Sequence, residues 1–309
     1  MKLPSSGSSE LVTKASPIRW PKTVSRVVIC IGAQKAATSF LFNELANNDQ
    51  ICVSPTKEVH FWDTFEGDEV RRFRRRARRA LWHTIRANSR STIAKQGMAR
   101  KTISEAFALA KIRHLSQYGL AEYRNYLLRN YKGQPVVFEA SPGYALASPD
   151  TFSRMATVAQ DTRLLLIMRD PVERMWSAAK FIWRQRLESG IATKNDVKQF
   201  FLSRIRNPSS LGFRHSAYDL TFKALEKSGF YDRLDVVFQE TISSHDETQA
   251  LNQSLGFAPN LCFRRKVNTH TQHFPIDEDI LEEGVKSFTR TYEEVRSRFG
   301  ARVPKGWHS

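Results

Sequence analysis

Short apolar runs that alternate with helical patterns are the feature that most constrains the fold of this chain. The runs occupy residues 26–31, 135–139, 163–168 and 234–238, and helical patterns occupy residues 36–47, 171–188, 218–227 and 277–299. Continuous apolar runs of this length are typical of strands that are buried on both faces. Strands that alternate with helices favour a parallel sheet covered on both sides. We therefore predict an α/β fold with a central parallel sheet flanked by helices.

One segment lacks this alternation. Between about residues 66 and 118 no strand pattern occurs, and residues 71–79 are the basic block RRFRRRARR. Apolar side chains recur every fourth residue from Phe73 to Ile85, which is typical of an amphipathic basic helix. We predict a flexible N-terminal segment at 1–24 and one domain at 25–309, with a helical basic insertion at about 66–118. The insertion is a solvated lobe, a lid for an anionic glycan, or a patch that contacts anionic lipid.

Charge and cysteine content restrict the classes of partner and compartment. The net charge of +17 implies an anionic partner, such as a nucleotide, an acidic glycan, a nucleic acid or a membrane surface. The three cysteines form no CxxC pair, so we expect neither a disulfide framework nor a metal site. The N-terminus lacks the apolar core of a signal peptide, and no spanning stretch is present. We expect a cytoplasmic protein, with peripheral contact at the inner membrane face left open.

The turn after the first predicted strand has the character of an anion-binding loop. Residues 32–39, GAQKAATS, lie between that strand and a helix, where backbone N–H groups and the helix dipole attract anions. Lys35 adds a positive charge, and Thr38 and Ser39 add hydroxyl donors. The loop is P-loop-like, but it lacks the GK[ST] ending of a Walker A motif.

Four segments resemble, in order, the motifs of the sulfotransferases that use 3′-phosphoadenosine-5′-phosphosulfate (PAPS). GAQKAATS is similar to their 5′-phosphosulfate loop, GxxKxGTS, and RDPVERMWS at 169–177 is similar to their 3′-phosphate motif, RDPxxRxxS. KEVHFWD at 57–63 and EASPGY at 139–144 resemble KExHFFD and EKSPxY of heparan-sulfate-type and bacterial carbohydrate sulfotransferases. The resemblance covers about residues 27–180. It implies a P-loop-like sheet and a carbohydrate-sulfating enzyme. With no membrane anchor in the sequence, we expect a bacterial cytosolic enzyme and not a Golgi one.

The resemblance implies which residues hold the donor. Lys35 would stabilise the leaving 5′-phosphate, and Arg169 and Ser177 would hold the 3′-phosphate. Arg265 and Lys266 would belong to a late basic loop over the nucleotide. The remaining donor-binding residues would be those of the anion loop, namely Gly32, Gln34, Ala36, Ala37, Thr38 and Ser39. The alternatives are a surface lysine at 35, a salt bridge between Arg169 and Glu173, a packing serine at 177 and a solvated basic turn at 264–266.

On the acceptor side, the resemblance implies that Glu58 is the general base. A carboxylate that is partly desolvated beside aromatic residues is expected to have a raised pKa. His60 is a rival base, an acceptor-orienting group or a structural imidazole. Two residues depart from the family pattern: Ala37 replaces a glycine, and its Cβ disfavours a left-handed backbone. Ala140 replaces a lysine, which puts a heparan-like acceptor in doubt.

The sequence therefore predicts a sulfotransferase that uses PAPS, without a metal, to sulfate a hydroxyl of a carbohydrate or glycolipid. A small non-sugar alcohol or amine is an alternative acceptor. A P-loop nucleotide kinase is disfavoured by the missing GK[ST], and an inactive relative by the retained motif residues. A nucleic-acid-binding module is suggested by charge alone, since no stacking aromatics are interleaved with the basic residues.

Overall fold

A five-stranded parallel sheet forms the centre of the protein in the computed structural model, which describes residues 19–65, 79, 81–87, 96–114, 119–190, 197–259 and 276–308. The strand order is β2-β3-β1-β4-β5, and every neighbouring pair is parallel. The strands are β1 (Arg26–Gly32), β2 (Ile51–Val53), β3 (Val136–Ala140), β4 (Thr162–Met168) and β5 (Leu234–Phe238). The predicted fold class, a parallel sheet flanked by helices, is confirmed.

The order of the strands places a crevice at the end of β1. The chain adds β2 and β3 on one side of this central strand and β4 and β5 on the other. The connection after β1 runs toward one edge of the sheet, and the connection after β4 runs toward the other edge. A crevice therefore opens between the carboxyl ends of these two neighbouring strands, and open α/β sheets bind ligands at such a point. The loops that follow β1 and β4 therefore meet at one point of the sheet edge.

Helices flank the sheet and supply the second layer of the core. The helix after β4 begins with Pro171 at its first turn, and the side chain of Asp170 accepts hydrogen bonds from the amides of Val172 and Glu173 at 2.9 and 3.0 Å. The helices are α1 (Thr38–Leu45), α2 (81–87), α3 (Gln96–His114), α4 (Leu120–Leu127), α5 (Pro149–Ala156), α6 (Pro171–Glu188), α7 (Val197–Ile205), α8 (Leu211–Arg214), α9 (Tyr218–Ser228), α10 (His245–Leu255), α11 (Glu278–Ser287) and α12 (Thr289–Phe299).

Three details differ from the sequence prediction. The edge strand β2 was not predicted, because three residues carry too little pattern to indicate a strand. The C-terminal helical stretch is two helices that meet at Phe288. The packed chain begins before residue 25, because the Trp20 side chain lies against the core and donates a hydrogen bond to the Val158 carbonyl at 2.9 Å. The basic block at 71–78 lies outside the described residues, whereas α2 and α3 supply helical structure within the insertion.

Candidate active site

The loop after β1 has the backbone of an anion-binding turn. Lys35 and Ala37 both adopt the left-handed conformation, with φ of 67° and 57°, and α1 begins at Thr38. Ala37 adopts it despite its Cβ, so the replacement of glycine at this position leaves the left-handed turn in place. A Cβ at Gly32 would lie 3.0 Å from side-chain carbons of Ala145 and Leu166, which is closer than ordinary van der Waals contact. The loop therefore keeps its amides close to the sheet edge and to the N-terminus of α1.

Lys35 lies in a concentration of positive charge. Burial lowers the pKa of its ammonium, and the nearby charges of Arg169, Arg184 and Lys57 lower it further. Its Nζ lies 4.5 Å from the centre of the Phe181 ring on α6. Cations packed this closely repel one another, and an anion bound among them would stabilise them, so this arrangement suits a phosphate or sulfate group.

Arg169, at the end of β4, lies in the same crevice as Lys35. One guanidinium nitrogen, Nη1, donates to the Lys35 carbonyl at 3.5 Å, and Nη2 donates to the Glu173 carboxylate at 3.1 Å. The salt bridge with Glu173 that the sequence left as an alternative is thus present. Ser177 is partly buried and follows Glu173 by one turn of α6, on the same face of the helix.

Arg174 is a site residue to which sequence reasoning assigned no role. It is fully buried, and burial lowers the pKa of its guanidinium to about 10. Its three nitrogens donate to the Gln34 carbonyl at 3.3 Å, the Gly212 carbonyl at 2.5 Å and the Ser216 hydroxyl at 2.6 Å. Arg174 therefore ties the anion loop to α6 and α8. The signal was available, because Arg174 is the second arginine of RDPVERMWS.

The segment that carries Glu58 and His60 lies beside the end of β3. The Glu58 amide donates to the Ala140 carbonyl at 2.8 Å. Glu58 and His60 have left-handed φ values of 63° and 54°, and such conformations in residues other than glycine are concentrated at functional sites. Lys57 joins this segment to the anion loop, since its Nζ donates to Glu58 Oε1 at 3.1 Å and its charge lowers the pKa of Lys35.

Two carboxylates flank the imidazole of His60. Its Nδ1 is hydrogen-bonded to Asp63 Oδ2, and its Nε2 lies 3.4 Å from Glu58 Oε2. Burial lowers the pKa of His60, but the hydrogen bonds to Asp63 and Glu58 outweigh it and raise the pKa to about 9. Sequence reasoning quoted Asp63 within a motif and gave it no function.

The predicted direction of the Glu58 pKa was wrong. The hydrogen bond from His60 lowers the pKa of Glu58 to about 2 against the opposing effect of burial, and Lys57 lowers it further. The carboxylate is about half exposed, so the aromatic residues beside it in sequence do not desolvate it enough to reverse this. Phe61 and Trp62 are instead buried in the core.

Of the remaining predicted residues, Arg265 and Lys266 lie outside the described residues. None of the helices in the described parts of the chain combines the length and the apolar character needed to cross a bilayer. Within those same parts, no cluster of three or more His, Cys, Asp or Glu side chains is arranged to hold a metal ion.

The arrangement of sheet, loop and helices has a counterpart among solved structures. A structure described as a sulfotransferase from Alicyclobacillus acidocaldarius matches this chain with a TM-score of 0.53. The match covers 88% of this chain and 94% of that chain, at 19% sequence identity. The chain has a sulfotransferase fold. Neither a family model nor a curated protein sequence matches it.

Proposed function

We propose that the protein transfers a sulfuryl group from PAPS to a hydroxyl group of a carbohydrate or glycolipid acceptor. The observation that carries the proposal is the crevice at the ends of β1 and β4. There Lys35, Arg169 and Lys57 concentrate positive charge, with the carboxylate of Glu58 directly beside Lys57. A sulfotransferase fold and the four sequence motifs support the same activity.

The donor would be held at both of its charged ends. The amides of residues 32–39 and the hydroxyls of Thr38 and Ser39 suit the 5′-phosphosulfate, while Arg169 and Ser177 suit the 3′-phosphate. PAPS supplies the activated sulfuryl group, and 3′-phosphoadenosine-5′-phosphate (PAP) is its product. The Lys35 ammonium stabilises the negative charge that develops on the leaving phosphate, in a site whose other charges are already positioned.

The pKa values of the two candidate bases favour Glu58. His60, with a pKa of about 9, already carries its proton at neutral pH, so it donates to Glu58 rather than accepting from the acceptor. Glu58 is ionised and able to accept a proton. A carboxylate of low basicity suffices, because the acceptor hydroxyl becomes strongly acidic as its oxygen bonds to sulfur. Asp63 keeps the imidazole oriented toward Glu58.

Turnover and binding assays test this proposal against its alternatives. Purified protein is incubated with labelled PAPS and a panel of sugars, alkyl glycosides, small alcohols and amines. Lys35→Ala and Glu58→Gln should each lower turnover at least about 100-fold while keeping the unfolding transition. PAP should raise the melting temperature, and ATP with magnesium should not. Wild-type rates in both variants, or stabilisation by ATP alone, would refute the proposal. Turnover only with alcohols or amines would change the acceptor class.

The basic insertion supports a peripheral contact with an anionic membrane at the cytoplasmic face. Residues 66–118 contain 14 Lys and Arg and 4 Asp and Glu, so +10 of the net charge of +17 lies in this segment. Trp82 and Phe107, on α2 and α3, are 68% and 52% exposed. Basic residues combined with exposed aromatic side chains are typical of surfaces that contact anionic lipid.

A further inference from the structure

The insertion is attached directly to the segment that carries the candidate base. Arg113, in the last turn of α3, donates from Nη2 to the Glu58 carbonyl at 2.6 Å and from Nε to the Val59 carbonyl at 2.9 Å. The neighbouring Ile112 is 3% exposed and belongs to the main core. The C-terminal turn of α3 is therefore part of the wall of the candidate site and not a detached lobe.

A groove of about 230 Å³ lies between α2 and α3 and reaches this wall. Its apolar lining comes from Leu81, Ala106, Leu109 and Ala110, and the polar side chains of Thr84, Thr102 and Glu105 line the rest of its length. Arg113 and Thr56 line the end next to the site, and Thr56 precedes Glu58 by two residues. A ligand in the groove would thus have one end beside the segment that carries the candidate base.

We propose that this groove binds the apolar chain of an amphipathic acceptor, whose hydroxyl group then reaches Glu58. The inference rests on the proposed function and narrows its acceptor class to an alkylated or acylated sugar. Apolar walls bind an alkyl chain because its burial releases water. The groove does not favour the binding of a polyanionic glycan, because the Arg113 guanidinium that lines it is already hydrogen-bonded to two backbone carbonyls.

Alkyl glucosides of increasing length test the groove with and without catalysis. Binding of methyl, hexyl and octyl β-glucoside, each below its micelle concentration, is measured by calorimetry without PAPS. We expect octyl glucoside to bind at least about tenfold more tightly than methyl glucoside. Ala106→Phe, which fills the groove, should abolish that difference. Ser104→Phe, which adds the same bulk at an exposed position of α3, should retain it.

The two readouts separate failure of the groove from failure of the proposed function. Equal binding of methyl and octyl glucoside, or an octyl preference that survives Ala106→Phe, overturns the groove. If chain-length-dependent binding is present and no acceptor is sulfated, the proposed function fails and the groove stands. If both hold, the KM for octyl glucoside should rise at least about tenfold in Ala106→Phe and stay within about twofold in Ser104→Phe.

A separate observation concerns a buried carboxylate beneath the candidate base. Glu139 of β3 is completely buried, and burial raises the pKa of its carboxyl group. It accepts hydrogen bonds from the Ser141 hydroxyl at 2.6 Å, from the Tyr144 hydroxyl at 2.8 Å and from the Tyr123 hydroxyl. Three hydroxyl groups are thereby oriented by one carboxylate.

Each hydroxyl-bearing residue in turn contacts the segment that follows Glu58. Ser141 Oγ accepts from the His60 amide at 3.2 Å, and the Tyr144 hydroxyl accepts from the Phe61 amide at 2.9 Å. The Tyr123 ring stacks on Phe61, with the ring centres 4.4 Å apart. A hydroxyl that donates its proton to a carboxylate keeps its lone pairs free for an amide, so these bonds reinforce one another.

We infer that Glu139 is a positioning residue, which holds the backbone of the candidate base segment in its left-handed conformation. It touches neither reactant in the proposed reaction and acts through Ser141, Tyr144 and Tyr123. Under the proposed function, loss of Glu139 should reduce the rate by misplacing Glu58 and His60, without weakening donor binding. A residue that serves stability alone would not show that selectivity.

A double-mutant cycle tests the role of Glu139. Glu139→Gln should lower kcat at least about tenfold and keep the Kd for PAP within about twofold. In a Glu58→Gln background, the same substitution should lower kcat by less than about twofold. The matched control is Glu247→Gln. Glu247 of α10 is also a buried carboxylate, and it accepts a hydrogen bond from the Phe238 amide of β5, which lies on the opposite side of β1 from β3. Glu247→Gln should leave kcat within about twofold. Equal losses of kcat with and without Glu58 would overturn the inference.

An NMR titration of His60 tests the role of Glu139 even if the protein shows no turnover with any acceptor. The ¹⁵N resonances of the His60 imidazole should titrate nearer to the ordinary histidine value in Glu139→Gln than in the wild type, because the released segment loses its contacts with Asp63 and Glu58. An unchanged midpoint would contradict positioning even if no acceptor were found. Should Glu139→Gln fail to fold, Tyr144→Phe removes only the hydroxyl bound to the Phe61 amide, and it should show the same shift in weaker form.

Discussion

The left-handed backbone of Ala37 determines whether Ala37→Gly raises or lowers the free energy of unfolding. Ala37 has φ 57° and ψ 13° at the N-cap of α1, where its side chain provides no capping hydrogen bond. An L-residue with a Cβ loses about 1–2 kcal/mol in this conformation, and glycine does not. Glycine in turn costs about 0.4–1 kcal/mol through the larger entropy of the unfolded chain. Ala37→Gly should therefore stabilise the protein by about 1 kcal/mol, or about fivefold in the folding equilibrium constant.

The neighbouring alanine provides a matched control of opposite sign. Ala36 is completely buried and has no left-handed backbone to relieve. Ala36→Gly loses a buried methyl group and adds unfolded-state entropy, so it should destabilise the protein by about 1–2 kcal/mol. Urea unfolding of both variants without nucleotide, with m-values equal to that of the wild type, measures the two changes. If Ala37→Gly were no more stable than the wild type, the strain assigned to this turn would be refuted.

Three further predictions follow from the charged groups of the site and the insertion. Because the folded pKa of His60 is raised to about 9, the stability that His60 contributes relative to His60→Asn is present below about pH 6.5 and is lost as the pH rises through 9. Urea unfolding at pH 6 and pH 10 measures this, and a pH-independent difference would contradict it. Arg174→Lys should weaken PAP binding by about tenfold in calorimetry, because one ammonium cannot bond to all three acceptors of the guanidinium. Arg163→Lys, at the distant ion pair with Asp235, should leave PAP binding unchanged. Vesicles that contain phosphatidylglycerol should sediment with the wild type at low salt and with Trp82→Ala/Phe107→Ala much less; equal sedimentation would exclude these aromatic residues from the contact.

Much of the fold could be predicted from local pattern. The strands β1, β3, β4 and β5 are apolar runs because both of their faces are buried, so one sequence window carries the whole signal. The bounds of α6 were predicted correctly, since Pro171 at its start is a local property of the chain. The edge strand β2 was missed, because three residues form a strand only when a neighbouring strand is in place.

The candidate site could be predicted in its residue types and not in its electrostatics. The motifs indicated Lys35, Glu58, His60 and Arg169, but the pKa of Glu58 was predicted in the wrong direction. That pKa depends on a hydrogen bond from His60, whose ring is oriented by the Asp63 carboxylate. Whether two side chains within one segment face each other depends on backbone angles, here the left-handed conformations at 58 and 60, that residue type does not indicate.

The sequence alone determined the parallel sheet, the position of the anion loop after β1 and the excess of positive charge, because each depends on residues that are adjacent in the chain. Only the tertiary structure decided which distant groups act together. It placed Arg174 against the Gln34 carbonyl, Ser141 against the His60 amide and Arg113 against the Glu58 carbonyl. These contacts join residues 55 to 140 positions apart, so they exist only once the sheet has brought the ends of its strands to a common edge.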